Sequence, residues 1–427
     1  MLTLMLAIMV TMLFLSFPMM IPLLAAPVIV MLLYYPAFDP MILTQQVIGG
    51  IIPASLVCVP MFILAADIMT SGEMSTRLVD FVKAFVGHIK GGMAITTAVA
   101  CTIFGAVSGS TQATVVAIGG AMRPHLLKGG YDDPFSLALI INASDIAFLI
   151  PPSIGMVVYG VASGTSIGEL FIAGVGPGLL IMVLFSIYGY VYARQQNIPA
   201  VPRSSWAERW KATKRAMLSF GFPVIIIGGI YSGIFSPTEA AAVSVLYAAV
   251  VEILVFKNVS LKDLRKIALS TGMVTAVVFI LVGAGSAFSW LISLARIPQM
   301  ILPAVLGPVP TQLRLLVVLS IAYFIGCMFV DPIVVIMILT PIFQPVVTGL
   351  GVDPVLVGTI VTLQTAIGSA TPPFGCDIFT AVAVFRRPYF EVIKKTPVFI
   401  AILLVVSATV ILFPQSALFL RDLALGH

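Results

Sequence analysis

The sequence predicts an all-α polytopic membrane protein built from two inverted halves, each with a re-entrant hairpin and a broken helix. Three observations predict it. Sixty per cent of the 427 residues are apolar and only 9% are Asp, Glu, Lys or Arg, too few charges to coat a water-soluble fold. Short motifs recur between the two halves at a near-constant offset. The basic residues are confined to short connectors, which fixes the direction in which each apolar run crosses.

Apolar runs of about 20 residues recur along the chain, the length an α-helix needs to cross ~30 Å of hydrocarbon. Strand-like alternation is absent, which argues against a barrel. Met1 to Leu33 carries no charge and no basic region ahead of its apolar stretch, so it reads as a first span and not a cleavable signal. Cys58, Cys101, Cys327 and Cys376 lie singly inside apolar runs, as packing residues do.

The net charge of +5 does not indicate a nucleic-acid partner, because its placement follows the membrane. Nineteen of the 22 Lys and Arg residues fall in five segments: Arg77 to Lys90, Arg123 to Lys128, Arg194 to Arg215, Lys257 to Lys266 and Arg386 to Lys395. These are cytoplasmic by the positive-inside rule. Arg296, Arg314 and Arg421 are then candidates for the opposite face.

Phe62-Ile63-Leu64 recurs as Phe279-Ile280-Leu281, and Phe104-Gly105 has a counterpart in Ile325-Gly326. Asp133-Pro134 returns as Asp353-Pro354, and Pro151-Pro152 as Pro372-Pro373, giving offsets of 217, 221, 220 and 221. In the first half both flanks of Gly92 to Met122 are cytoplasmic, so this segment enters and leaves on one side. Phe135 to Gly164 crosses outward and Phe171 to Tyr192 returns. In the second half Ile267 to Leu294 crosses outward, so the matching hairpin, Gln312 to Val347, opens outside. Val355 to Val384 crosses back. Corresponding elements run in opposite directions, the arrangement of inverted-repeat transporters.

Each hairpin tip carries helix-breaking chemistry. The first reads Gly105-Ala106-Val107-Ser108-Gly109-Ser110-Thr111-Gln112, the second Gly326-Cys327-Met328-Phe329-Val330-Asp331-Pro332. Glycine permits non-helical backbone, Ser and Asp cap helices, and proline suits a first helical position. The spans that follow break at Ile150-Pro151-Pro152-Ser153 and at Ala370-Thr371-Pro372-Pro373-Phe374-Gly375. In continuous helices these prolines would free the carbonyls of Ala147 and Phe148, and of Gly368 and Ser369. Unpaired carbonyls in a dry interior cost several kcal/mol unless coordinated, a need that a hard monovalent cation such as sodium answers. Each half-helix that starts after a break offers N–H groups to an anion.

Asp331 is assigned to a sodium site, because an ionisable group at a hairpin tip is costly and therefore functional. Ser110 is its counterpart in the first half. Asp145 and Asp377 are read either as groups behind the site or as caps of polar contacts between helices. Asp67 and Glu252, near span ends, are expected to be solvated. Two readings stand for Arg296, contact with an anionic substrate or partner and interfacial snorkelling. Glu73 to Lys90 and Pro388 to Lys395 read as amphipathic interfacial arms.

The hairpin Phe104 to Thr114, the connector Leu127-Lys128-Gly129-Gly130-Tyr131, the broken span Ile150 to Gly155, and Ala370 to Gly375 together resemble the large membrane subunit of tripartite ATP-independent periplasmic (TRAP) transporters. The resemblance covers essentially the whole chain. It implies a multi-pass protein of the bacterial inner membrane that works as an elevator, a transport domain sliding against a scaffold. It also implies segments 1–91 (scaffold spans and arm), 92–168 (first transport half), 169–311 (central scaffold), 312–385 (second transport half) and 386–427 (arm and last span).

By that resemblance sodium, two ions or more, is held at Ser108, Ser110, Pro151 and Pro152 and at Gly326, Asp331, Gly368 and Thr371. No organic cofactor is implied. Substrate contacts are expected from Ser110, Thr111, Ser153, Thr371, Gly375 and Arg296. The implied partners are a small membrane subunit, a periplasmic binding protein that delivers a small carboxylate, and membrane lipid. Sialic acid is favoured slightly as the substrate, with C4-dicarboxylates next. The alternative is a stand-alone sodium-coupled dicarboxylate or citrate carrier of related fold. A channel would need a continuous pore and not opposed hairpins. An enzyme is not expected: His88, His125 and His427 lie at or beyond span ends, and no HExxH or GxSG pattern occurs.

Overall fold

A computed structural model describes residues 1–307 and 309–426, and every regular element among them is a helix; His427 lies outside them. By length and composition seven of the helices can cross a bilayer, or eight if the bent C-terminal pair counts as one span.

The chain opens with α1 (Leu2–Phe14) and α2 (Met20–Tyr34), which pack against each other. The single first span expected over Met1 to Leu33 is therefore corrected to a helical pair. Ser16, at φ 62°, and Pro18 end the first helix, and at ~1.5 Å per residue neither piece alone covers ~30 Å. Helix α3 (Met41–Ile51) leads to α4 (Cys58–Ser71) and the amphipathic α5 (Met74–Val86), which buries Met74, Leu78, Val79 and Val82 along one face. Glu252, in the helical turn that follows residues 237–249, caps this helix. Its carboxylate accepts the N–H groups of Glu73 and Met74 at 3.3 and 2.8 Å and is fully buried, so the solvated position expected for it is corrected. A carboxylate suits the positive end of a helix. Asp67 is half-buried and accepts the Thr271 hydroxyl at 2.6 Å, again not a solvated site.

The first hairpin follows, α6 (Gly92–Ser108) and α7 (Thr111–Lys128), and then α8 (Asp133–Ser144), which tightens into a 3-10 turn at Asp145–Phe148. After the Pro151-Pro152 break come α9 (Ile154–Ser163) and the long α10 (Ile167–Gln195). The centre of the chain supplies α11 (Trp206–Tyr231), α12 (Pro237–Ala249), α13 (Leu261–Leu294) and the short α14 (Ile297–Leu306). The second half then repeats the first: hairpin α15 (Gln312–Phe329) and α16 (Pro332–Gly349), broken span α17 (Pro354–Ser369) and α18 (Cys376–Phe385), and a return through α19 (Tyr389–Ile393), α20 (Thr396–Leu412) and α21 (Gln415–Leu425).

In lipid, helices associate through close contact at small residues, since burying apolar surface gains little there. Both halves use the same device at the same place. A β-carbon on Gly105 of the first hairpin would lie 2.7 Å from the Ala147 α-carbon. In the second half the small residue sits on the other partner: a β-carbon on Gly368 would lie 2.5 Å from the Cys327 β-carbon and 2.7 Å from the Phe324 carbonyl oxygen. Gly326 meanwhile lets α15 approach Val335 of α16. Asp133, at the start of α8, receives Arg123 of α7 at 2.7 Å and Arg387, just past α18, at 2.8 Å, which ties the two halves together at their basic edge.

Candidate functional site

The tips of both hairpins reach one cavity of about 140 Å³. Ser110, Thr111 and Gln112 come from the first tip, Asp331, Pro332 and Ile333 from the second, and Phe148 and Ile154 from the first broken span. The remaining wall is α13, which presents Val274, Val277, Val278 and Leu281. That spacing is one face of a helix.

The first tip is built around Gly109, whose φ of 59° ends α6 in the left-handed region. Its carbonyl accepts the Ile154 N–H at 3.2 Å, and its missing β-carbon would lie 2.2 Å from the Pro152 carbonyl oxygen. The tip is thereby seated on the break with no room between them. Ser110 then caps α7, accepting the Ala113 N–H at 3.4 Å. Behind it the buried Ser108 hydroxyl lies 3.0 Å from that of Thr114, and Thr114 donates to the Ser110 carbonyl at 2.8 Å. The Ser108 and Thr114 hydroxyls and the Ser110 carbonyl are thus linked within the tip that seats on the break.

The second tip repeats the plan with different residues. Asp331 caps α16 by accepting the Ile333 N–H at 2.9 Å, and Pro332 takes the first helical position. The Phe374 N–H donates to the Met328 carbonyl at 3.1 Å, the counterpart of the seating bond in the first half. Both Pro-Pro bonds are cis. Gly375 lies where the Ser369 and Thr371 carbonyls converge, since its β-carbon would be 2.4 and 2.8 Å from them.

Two carbonyls that uninterrupted helices would leave free are in part satisfied. The Ser153 hydroxyl donates to the Phe148 carbonyl at 2.6 Å, and the Thr371 N–H donates to the Gly368 carbonyl at 3.1 Å. Each keeps a second lone pair.

Of the residues expected to contact substrate, Ser110 and Thr111 line the cavity. Ser153, Thr371 and Gly375 stand behind it: Ser153 caps α9, Thr371 donates to the Ile367 carbonyl at 2.6 Å, and Gly375 starts α18. Arg296 is exposed at the start of α14 and is not among the residues lining the cavity, a position that suits a partner contact or interfacial snorkelling. A contact between the halves joins Asp377 of α18 to the first tip: its carboxylate accepts the hydroxyls of Thr111 at 2.8 Å and Ser369 at 2.6 Å. Of the two readings open for Asp377, it therefore takes the one that caps a polar contact between helices. Phe148 and the α13 face were not legible, because in so apolar a span nothing marks one apolar stripe from another.

Two hairpins whose tips share a cavity among apolar helices long enough to cross a bilayer define the architecture of a polytopic membrane protein. Over residues 6–416 the sequence matches the family described as "Tripartite ATP-independent periplasmic transporter, DctM component", and the chain belongs to that family as a large permease subunit. It is 64% identical to the ectoine/5-hydroxyectoine TRAP transporter large permease protein UehC of Ruegeria pomeroyi, over 97% of each chain. It is 61% identical to the ectoine TRAP transporter large permease protein TeaC of Halomonas elongata, over 99% of each. In fold it is similar to the YdaH transporter of Alcanivorax borkumensis, with a TM-score of 0.57, 17% identity and 87% of each chain covered. Membership places the chain in the bacterial inner membrane as a multi-pass subunit. The slight preference for sialic acid finds no support in these relatives.

Proposed function

We propose that the chain is the membrane subunit through which ectoine or 5-hydroxyectoine, handed over by a periplasmic binding protein, enters the cell together with sodium. The observation that carries this reading is the cavity shared by the tips of the two hairpins. Its size favours a small solute, since about 140 Å³ is well under the ~300–1,000 Å³ of sites for drug-sized ligands. A bulky sugar acid fits poorly. Ectoine is a compact ring that carries a carboxylate and an amidinium and has no net charge. The start of α7 offers N–H groups and a positive dipole end to the carboxylate, and the aliphatic wall from α13 suits the ring edges.

Sodium is supported by the clustered oxygens. In the first half the Ser108 hydroxyl meets the Thr114 hydroxyl and the Ser110 carbonyl in a tip seated on Pro152, and in the second the Ser369 and Thr371 carbonyls come together at Gly375, with Asp331 at the facing tip. Such oxygen-rich breaks at membrane depth are tolerated where a cation completes them. The division of the walls supports an elevator movement. Eight of the cavity's residues come from the hairpins and the first break, and four from α13, so sliding the first group along α13 would carry substrate and ions across. A small membrane subunit would brace α13 and its neighbours.

The test is uptake into vesicles that hold the chain with its small subunit, supplied with the cognate binding protein. Ectoine uptake should exceed that of sialic acid or succinate at least about tenfold, and only under an inward sodium gradient. A preference for either acid would overturn the substrate, and equal rates without sodium the coupling.

A further inference from the structure

The transport core holds three carboxylates at membrane depth: Asp145, Asp331 and Asp377. Among the described residues, no ion pair joins any of them to a lysine or arginine. An uncompensated charge at that depth is expensive. Asp331 and Asp377 at least receive N–H or hydroxyl donors. Asp145 receives none, although it is completely buried: neither carboxylate oxygen has a partner.

One turn earlier on the same face, the side-chain oxygen of Asn142 is also buried and unpartnered. The amide cannot turn round to help, because its NH₂ is committed to the Ala138 carbonyl at 2.8 Å. Ser144 likewise gives its proton to the Ile140 carbonyl, at 2.7 Å. Three acceptor oxygens thus lie buried without a hydrogen-bond partner in the turn that leads to the first break. Buried polar atoms are almost always satisfied, and acceptors alone are satisfied by a cation.

We propose that Asp145 and the Asn142 side-chain oxygen hold a further sodium ion, additional to the one in each half. It rests on the sodium-coupled reading above and adds the ion count. A cation at Asp145 would offset a carboxylate that no lysine or arginine meets among the described residues, and the zwitterion itself brings no net charge.

The experiment is the sodium-to-ectoine stoichiometry, read from reversal potentials in vesicles containing the complete transporter and its binding protein. Wild type should couple three sodium ions to each ectoine, Asp145→Asn two. Asn142→Ala, which keeps the charge and loses one ligand, should still couple three, with the half-saturating sodium concentration raised about tenfold. A wild-type value of two overturns the proposal whether or not the variants fold. So does a wild-type response to an imposed pH gradient that accounts for the third charge, which would make the cation a proton. Uptake indifferent to sodium would instead sink the coupled reading itself.

Discussion

Asp331→Asn should lower sodium-driven uptake about 100-fold while the folded complex remains intact. Asparagine caps a helix about as well as aspartate, so the Ile333 N–H keeps an acceptor and α16 keeps its start. What the variant removes is the charge. Two unit charges 4 Å apart interact by about 4 kcal/mol at an effective dielectric of ~20, an upper figure for a residue that is half-buried against a cavity. Half of that is already more than a tenfold loss of sodium affinity at each turnover. Asp331→Ala should be worse, since the cap contributes about 1 kcal/mol of its own. Flux measured against sodium concentration checks this. An unchanged sodium dependence in the Asn variant would remove Asp331 from the site.

Gly109→Ala should cut uptake to under about a tenth of wild type, through geometry alone. A side chain at φ 59° costs about 1–2 kcal/mol, and the new methyl would lie 2.2 Å from the Pro152 carbonyl oxygen. The clash is with backbone, which cannot rotate away. The tip must lift, and the bond from the Ile154 N–H to the Gly109 carbonyl goes with it. Gly120 provides the control in the same hairpin, since nothing lies within 4 Å of its missing β-carbon and it is helical. Gly120→Ala should transport normally, because alanine stabilises a helix interior by about 0.5–1 kcal/mol relative to glycine. Equal loss in both would mean that the close seating of tip on break is not what transport needs.

Much of the site was legible because it rests on residues whose chemistry is local. Gly109, Ser110, Asp331 and the two Pro-Pro pairs break helices wherever they stand, and their recurrence near an offset of 221 gives the inverted plan without any knowledge of packing. The parts that were not legible depend on partners far away in the chain. Glu252 looked like a solvated span end, yet it caps a helix that starts 178 residues earlier, at Met74. Asp377 looked equivalent to Asp145, but only Asp377 meets hydroxyls, one of them on the other half at Thr111. Arg296 was drawn towards the substrate by its charge, whereas its exposed place on α14 follows from the turn that ends α13. The first span was misread because length and apolarity do not distinguish one long helix from two short ones around Ser16 and Pro18. Substrate identity was least legible of all, since Ser110, Thr111, Gln112 and Asp331 beside an aliphatic wall suit many small polar solutes.

The most direct test of the inverted plan is sided labelling of the two hairpin bases. With the four native cysteines replaced, Lys128→Cys at the end of α7 and Gln312→Cys at the start of α15 each place one exposed thiol at the open end of a hairpin. A membrane-impermeant maleimide should reach position 128 only from the cytoplasmic side and position 312 only from the periplasmic side. Labelling of both from the same side would contradict the opposed hairpins on which the shared cavity, the cation sites and the proposed movement all depend.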